Sequence, residues 1–286
     1  MIRLIRIVIC YFTISIIFLT ACNTSNTRIA SGHNFAKQNQ FKKRVYETSL
    51  FSIVSFTRIS KISNQVSIYI EGDGKAWLTK KRVSNNPTPQ EPIALQLAAE
   101  DDSANVIYLA RPCQFVVIDN EVNCLSEFWT NKRASREVIN TYHEVLDKIK
   151  KSSSIDNFRL IGYSGGGTIA AILAAERKDI IDLRTIAGNL DIALFSKIHH
   201  VSPLTGSINP INLTDKLSMV PQLHFYSVDD SIVKPEIIEH YKKVNEQNNK
   251  LHSCVLIQQV NGTTHTKGWT KRWKELIRRQ PKCSNK

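Results

Sequence analysis

Apolar and polar residues are grouped in short blocks along most of the chain, and each block suits a strand or a helix. Short apolar runs such as "NVIYLA" and "FRLIG" predict buried strands. In "SREVINTYHEVLDKIKKS", by contrast, Val138, Tyr142, Val145 and Ile149 share one helical face. Strands and helices alternate in this way beyond Arg44. The pattern therefore predicts an α/β domain with a mostly parallel sheet and helices on both faces.

The first residues of the 286-residue chain depart from this pattern. Residues 1–21 combine the basic start "MIRLIR" with the apolar run "IVICYFTISIIFLTA", which is typical of an export signal. The ending "LTAC" resembles a bacterial lipobox, so we expect cleavage before Cys22 and a lipid on that cysteine. An uncleaved membrane anchor is the alternative, although the run is short for a spanning helix. We thus predict an extracytoplasmic protein, on the periplasmic side, that is held at a membrane by its N-terminal lipid.

The next segment and one later segment lack clear periodicity. Residues 22–43 are rich in Asn, Ser, Thr, Gln and Lys, which favours a flexible tether. The α/β domain is then expected to occupy residues 44–286. Within it, the stretch from about Gly188 to Val220 predicts a small cap or a set of long loops.

The formal net charge of +13 is concentrated at the two ends of the chain. Residues 23–45 contain five Lys or Arg and no acid, and residues 267–286 contain eight Lys or Arg and one acid. Such ends form solvated surfaces or are attracted to anionic membrane phosphates. No nucleic-acid-binding motif is present, so we expect no nucleic-acid partner.

Six cysteines also bear on the compartment. Cys10 lies in the proposed signal and Cys22 is the proposed lipid site, which leaves an even number for an oxidising environment. Three pairings of the remaining four are possible. The shortest loops favour Cys113–Cys124 and Cys254–Cys283. No pair has the close spacing of a zinc site, and we predict neither a metal nor a cofactor.

The strongest chemical motif is "GYSGG", Gly162 to Gly166, between the predicted strand "FRLI" and an Ala-rich predicted helix. It matches G-x-S-x-G, a sharp strand-to-helix turn that exposes the serine and needs small residues on either side. Ser164 is therefore a candidate nucleophile, and the amide of Gly165 could donate to an oxyanion. A plain tight turn is the alternative, whereas neither a P-loop nor a dinucleotide fingerprint is matched.

A serine nucleophile needs a base, and the base needs an acid that orients it. "PQLHFYSVDDSIVKPE" places Asp230 where a predicted strand ends. Asp229 beside it and Asp191 after the preceding strand remain alternatives, and a turn or cap carboxylate is the non-catalytic interpretation.

His265 is the histidine best placed to be the base. It follows the last predicted strand in the loop "NGTTHTKGW". His252 begins that strand and would lie at the wrong end of the sheet, and His224 lies within a strand. An ordinary loop histidine is the alternative.

A second oxyanion donor is expected from the turn "YIEGDGKAW". The amide of Gly72 or Asp73 is the candidate, and a plain hairpin turn is the alternative. The acidic side chain of Asp73 near such a site would disfavour an anionic substrate.

Together, "GYSGGG", "SVDDSIV" and "NGTTHTKGW" resemble the motifs of the α/β-hydrolase family over about residues 46–278. "YIEGDG", "ARPCQ" and "TIAGNLD" are similar to segments of uncharacterised serine-hydrolase-like lipoproteins of proteobacteria. The resemblance implies an eight-stranded, mostly parallel sheet and a Ser164–His265–Asp230 triad. Many lipases and esterases carry His-Gly or His-Gly-Gly-Gly at the oxyanion turn, where this chain has Glu71-Gly72-Asp73-Gly74.

These observations predict a serine hydrolase that forms an acyl-enzyme on a small-molecule or lipid-like acyl substrate. A carboxylic ester or thioester is favoured, and a peptidase or amidase is the alternative, because the fold does not select the chemistry. A non-catalytic hydrolase-like lipoprotein that binds envelope components is the rival from another class.

Overall fold

The computed structural model describes residues 24–60, 63–248 and 252–285. The proposed signal peptide and Cys22 lie outside these residues. The strands are β1 (Lys42–Glu47), β2 (Ser52–Ile59), β3 (Gln65–Ile70), β4 (Trp77–Thr79), β5 (Arg82–Val83), β6 (Asn105–Leu109), β7 (Asn157–Tyr163), β8 (Ile180–Ile186), β9 (Gln222–Tyr226), β10 (His252–Ser253), β11 (Val255–Gln259) and β12 (Ser284–Asn285).

Seven α-helices are present among the described residues. They are α1 (Thr24–Gln38), α2 (Ile93–Ala99), α3 (Arg136–Lys151), α4 (Gly165–Glu176), α5 (Ile192–His199), α6 (Pro235–Asn248) and α7 (Trp269–Leu276). None of these helices is both long and apolar enough to cross a membrane.

Eight of the strands form one sheet in the order β1-β2-β6-β3-β7-β8-β9-β11. β2 runs antiparallel to both of its neighbours. All pairings from β6 to β11 are parallel, so the predicted eight-stranded, mostly parallel sheet is confirmed. In a parallel sheet the carboxyl ends of the strands meet at one edge, which is where loops carry ligand sites.

Helices cover both faces of this sheet because alternate strand residues point to opposite sides. In β7, Phe158 and Leu160 join the core under α3, α4 and α6. Ile161 and Tyr163 join a second core under α1, α2 and α7. The helical face predicted for α3 is buried as expected: Val138, Tyr142, Val145 and Ile149 are all nearly inaccessible.

The structure of the N-terminal segment differs from the prediction made from its sequence. Residues 24–43 are not a flexible tether, because they contain the helix α1 and the start of β1. α1 packs closely on the domain: a Cβ at Gly32 would lie 2.2 Å from the Phe115 ring, and Ala36 is buried. Phe41, just after the helix, is buried as well. A few apolar residues are enough to dock this helix, because those present face the core.

Two disulfides tie loops to the domain, and they are the preferred pairs Cys113–Cys124 and Cys254–Cys283. The aperiodic stretch 188–220 contains α5 and the 3₁₀ helix Pro210–Leu213. It is tied to the loop before α3, since the amide of Ile208 donates to the carbonyl of Ala134.

Candidate active site

Ser164 lies at the turn from β7 into α4, with φ 52° and ψ −120°. These angles are strained for a residue with a side chain, so contacts around the turn must hold them. A Cβ at Gly162 would lie 2.4 Å from the Gly166 carbonyl oxygen, and a Cβ at Gly166 would lie 2.2 Å from the Ile70 carbonyl oxygen. A larger residue at either position would force the backbone around it to shift, as the motif predicted.

A hydrogen-bonded chain of side chains leads away from Ser164. Its Oγ lies 3.1 Å from Nε2 of His265. The other ring nitrogen of His265, Nδ1, lies 2.8 Å from Oδ2 of Asp230. The three residues come from three different strand ends, after β7, β9 and β11, which the parallel sheet brings to one edge.

Main-chain groups fix the orientation of both partners. Oδ1 of Asp230 accepts the amides of Ile232 at 2.8 Å and Val233 at 2.9 Å, so the carboxylate is fully engaged and only 1% of its side chain is exposed. The carbonyl of His265 accepts the hydroxyl of Tyr163 at 3.0 Å. The imidazole is thereby held between a buried acid and the serine hydroxyl.

The two alternative acids lie elsewhere. Asp229 is exposed to solvent. Asp191 caps α5 through its bonds to the amides of Ala193 and Leu194, and its other oxygen lies 2.9 Å from Nδ1 of His240. Of the three candidate acids, only Asp230 contacts His265 in the described part of the chain.

Of the three candidate oxyanion donors, one amide is already engaged in a hydrogen bond and two are available. The amide of Gly72 donates to Oε1 of Glu71 at 3.1 Å, so it is not available to a substrate. The amides of Asp73 and Gly165 have no acceptor among the described residues. Asp73 is next to the turn, because a Cβ built on Gly165 would lie 2.2 Å from Asp73 Oδ1. The Gly72 expectation is thus corrected in favour of Asp73 and Gly165.

Glu71 itself is a buried carboxyl group beneath this turn. Burial raises its pKa to about 7, although the amide bonds from Gly72 and Ala94 oppose that rise by stabilising the charged form. One oxygen accepts those amides, and Oε2 has no partner among the described residues.

The site opens into a cleft of about 630 Å³. Its lining includes the apolar side chains of Trp77, Ile93, Phe195 and Val233 together with Ser164 and His265. In the described residues no group of three or more His, Cys, Asp or Glu side chains is arranged to hold a metal ion. The cleft can thus hold a small organic group against the serine hydroxyl.

Comparison with known proteins gives matches only at the level of structure. No family model and no curated protein matches the chain. Est1E from Butyrivibrio proteoclasticus superposes with a TM-score of 0.55 at 14% identity, covering 82% of this chain and 97% of that chain. The Pyrococcus furiosus esterase Pf2001 gives a TM-score of 0.57 at 14% identity, over 84% and 92% of the two chains.

The acylaminoacyl peptidase of Pyrococcus horikoshii gives a TM-score of 0.59 at 12% identity, over 83% of this chain and 41% of that chain. The sheet order and these matches agree on one architecture. The chain has the α/β-hydrolase fold. At such low identity the likeness describes the fold alone, and the chemistry must be argued from the site.

Two site residues of this α/β-hydrolase fold escaped the sequence analysis. Arg111 Nη1 lies 3.0 Å from Asp73 Oδ1, and Arg133 Nη1 lies 2.9 Å from Asp73 Oδ2. Arg111 lies two residues after the end of β6, so its position near a strand end was a usable indication. Arg133 lies in an irregular loop, where no local pattern points to the site.

Proposed function

We propose that this protein is a serine hydrolase that cleaves a carboxylic ester or thioester through an acyl-enzyme. Ser164 is the nucleophile, His265 the general base and Asp230 the acid that orients it. The observation that carries this proposal is the continuous contact from Ser164 Oγ to His265 Nε2 at 3.1 Å and from His265 Nδ1 to Asp230 Oδ2 at 2.8 Å.

The first step follows from that geometry. As Ser164 Oγ attacks the acyl carbonyl, its proton moves to Nε2 of His265, and Asp230 stabilises the imidazolium through Nδ1–H. The proton then passes to the leaving alcohol or thiol, which departs from the tetrahedral intermediate. Water, activated by the same imidazole, releases the acid and restores Ser164.

The negative charge of the tetrahedral intermediate needs donors that are already in place. We assign this role to the amides of Gly165 and Asp73. Gly165 is the first residue of α4, where the helix dipole also favours negative charge.

We further propose that the protein works outside the cytoplasm, anchored by a lipid on Cys22 after removal of residues 1–21. The two disulfides support an oxidising compartment. Metabolic labelling with a fatty-acid probe tests the anchor: label should enter the wild type and be absent from Cys22→Ala.

A panel of esters, thioesters and amides with a common acyl group tests the reaction. We expect ester and thioester turnover that Ser164→Ala reduces by at least about a thousandfold, since removal of a triad member costs that much or more. Amide turnover exceeding ester turnover would favour the peptidase alternative, which the fold similarity to an acylaminoacyl peptidase motivates. No turnover by a folded protein would favour the non-catalytic binding alternative.

A further inference from the structure

Asp73 does not make the cleft acidic, because two arginines neutralise its carboxylate. Arg111 contacts Oδ1 and Arg133 contacts Oδ2. The three side chains together carry a formal charge of +1. The expected bias against anionic substrates, which considered Asp73 alone, is therefore removed by its partners.

The guanidinium of Arg133 is held in a fixed place. Nη1 is bound to Asp73, and the group lies over the ring of Phe195, 5.7 Å from its centroid. The carbonyl of Arg133 accepts a hydrogen bond from Arg111, and the next residue, Ala134, is bonded through its amide to Ser207. Only 13% of the Arg133 side chain is exposed, so little conformational entropy remains to be lost on binding a ligand.

Part of this guanidinium still has hydrogen-bonding capacity. Its Nε–H and Nη2–H groups have no acceptor among the described residues, and Arg133 lines the same cleft as Ser164. Two parallel N–H donors match the oxygen pair of a carboxylate or phosphate. Asp73, which holds Arg133, also lies against Gly165, so a bound anion would sit near the reacting carbonyl.

The charged residues at the rim add to this preference. Lys75 and Lys267 line the cleft, and Glu91 is the exposed acid among the described residues that line it. Glu71 also lines the cleft, but it is fully buried and its carboxylate oxygen Oε1 is bound to main-chain amides.

From this geometry we propose that the cleft binds an anionic substrate: an ester whose acyl or alcohol part carries a carboxylate or phosphate, recognised by the free edge of Arg133. The inference rests on the proposed serine hydrolase activity. It adds a substrate class, an acidic ester, which the triad alone does not specify.

Pairs of esters that differ only in charge test the proposal. One arm compares the monomethyl ester of glutaric acid with the methyl ester of glutaramic acid, in which an amide replaces the carboxylate. A second arm compares the butyrate ester of 2-hydroxyethyl phosphate with that of ethylene glycol. We expect the wild type to favour the anionic member of at least one pair by about tenfold or more in kcat/KM, as for a hydrogen bond to a charged group. The pair in which the anionic ester is preferred identifies whether the cleft binds a carboxylate or a phosphate.

Arg133→Gln should bring that ratio close to one, mainly through KM of the anionic ester, and Arg133→Lys should give an intermediate ratio because it keeps charge without the planar fork. Arg272→Gln on α7 is the matched control, since Arg272 pairs with Glu275 outside the cleft, and it should keep the wild-type ratio.

Equal kcat/KM for both members of both pairs in the wild type would overturn the inference. A ratio of kcat/KM values that Arg133→Gln leaves unchanged would overturn it as well. In that case Arg133 would act on the oxyanion alone, and its loss would lower kcat/KM of the anionic and the neutral ester equally. Binding of the free glutarate dianion to Ser164→Ala provides a second measurement, and affinity that is insensitive to Arg133→Gln would also contradict it. Failure of the hydrolase proposal itself would be recognised by a different result, since Ser164 would then not react with a fluorophosphonate.

Discussion

We attribute the proposed reactivity of Ser164 to the neighbours that determine its position. Gly162 and Gly166 allow the close approach of β7, α4 and β3, and this approach holds Ser164 at a positive φ. The motif could be predicted from local sequence, since both glycines lie within two residues of the serine. Arg133 could not, because its role arises from a contact with Asp73 that is distant in sequence.

Gly166→Ala should destabilise the protein by about 1–3 kcal/mol, the usual cost of forced overpacking. Alanine in a helix gains at most about 1 kcal/mol over glycine, which is less than the cost of a Cβ 2.2 Å from the Ile70 carbonyl oxygen. Urea unfolding measures the difference. Gly206→Ala is the control, because its Cβ would meet the flexible side chain of Lys132; equal midpoints for the two variants would contradict the packing argument.

Asp230→Asn should lower kcat for ester hydrolysis by about 10⁴-fold, since an amide cannot hold the imidazole in the tautomer that accepts the serine proton. Asp229→Asn is the matched control one residue away. It changes the same charge at an exposed position and should keep kcat within about twofold. Similar losses in both variants would show that the assignment of the acid is wrong.

The carboxyl ends of β7, β9 and β11 bring the residues of the candidate site together. The α/β pattern could be predicted because β6 and β7 are short apolar runs, and the three proposed catalytic residues follow strands that were predicted. α1 was missed because its sequence is polar, and its order depends on Ala36 and the neighbouring Phe41 docking on a distant part of the chain. Which amides of the oxyanion turn are free could not be predicted from the sequence either. It depends on the position of the Glu71 side chain, which accepts the amide of Gly72.

The loop after β6 supports the oxyanion turn and should influence the reaction. Gln114 Nε2 donates to the carbonyl of Gly72 at 3.0 Å, which fixes the peptide group that also carries the Asp73 N–H. Gln114→Met keeps the length but removes this donor, and we expect kcat to fall by about tenfold with little change in KM, part of the 10²–10³ cost of a lost oxyanion donor. Steady-state kinetics measure both constants.

Gln258→Met is the control for that experiment, because Gln258 accepts a hydrogen bond from Arg279 at an exposed position. It should leave kcat and KM at wild-type values. A Gln114→Met effect confined to KM would assign Gln114 to substrate binding instead of to the turn.

For the whole molecule, Glu71 links stability to pH. Its pKa is raised from 4.5 to about 7 in the fold, so between these values the folded state binds a proton that the unfolded state has released. This contribution is fully present below the unfolded pKa and is lost as the pH rises through about 7.

Glu71→Gln, which stays neutral, should therefore gain stability relative to the wild type as the pH increases from about 4.5 to 7, by on the order of 3 kcal/mol at most. Urea unfolding of both proteins at several pH values measures this difference. Parallel pH dependences for the two proteins would show that Glu71 ionises normally.

Covalent labelling is the decisive test of the proposal that Ser164 is an activated nucleophile. The wild type and Ser164→Ala are treated with a fluorophosphonate, and the adduct is located by peptide mass spectrometry, with circular dichroism as the check that both proteins are folded. We expect a single phosphonylated residue, Ser164, in the wild type and no adduct in Ser164→Ala. An adduct on another residue, equal labelling of both proteins, or an unlabelled but folded wild type would contradict it.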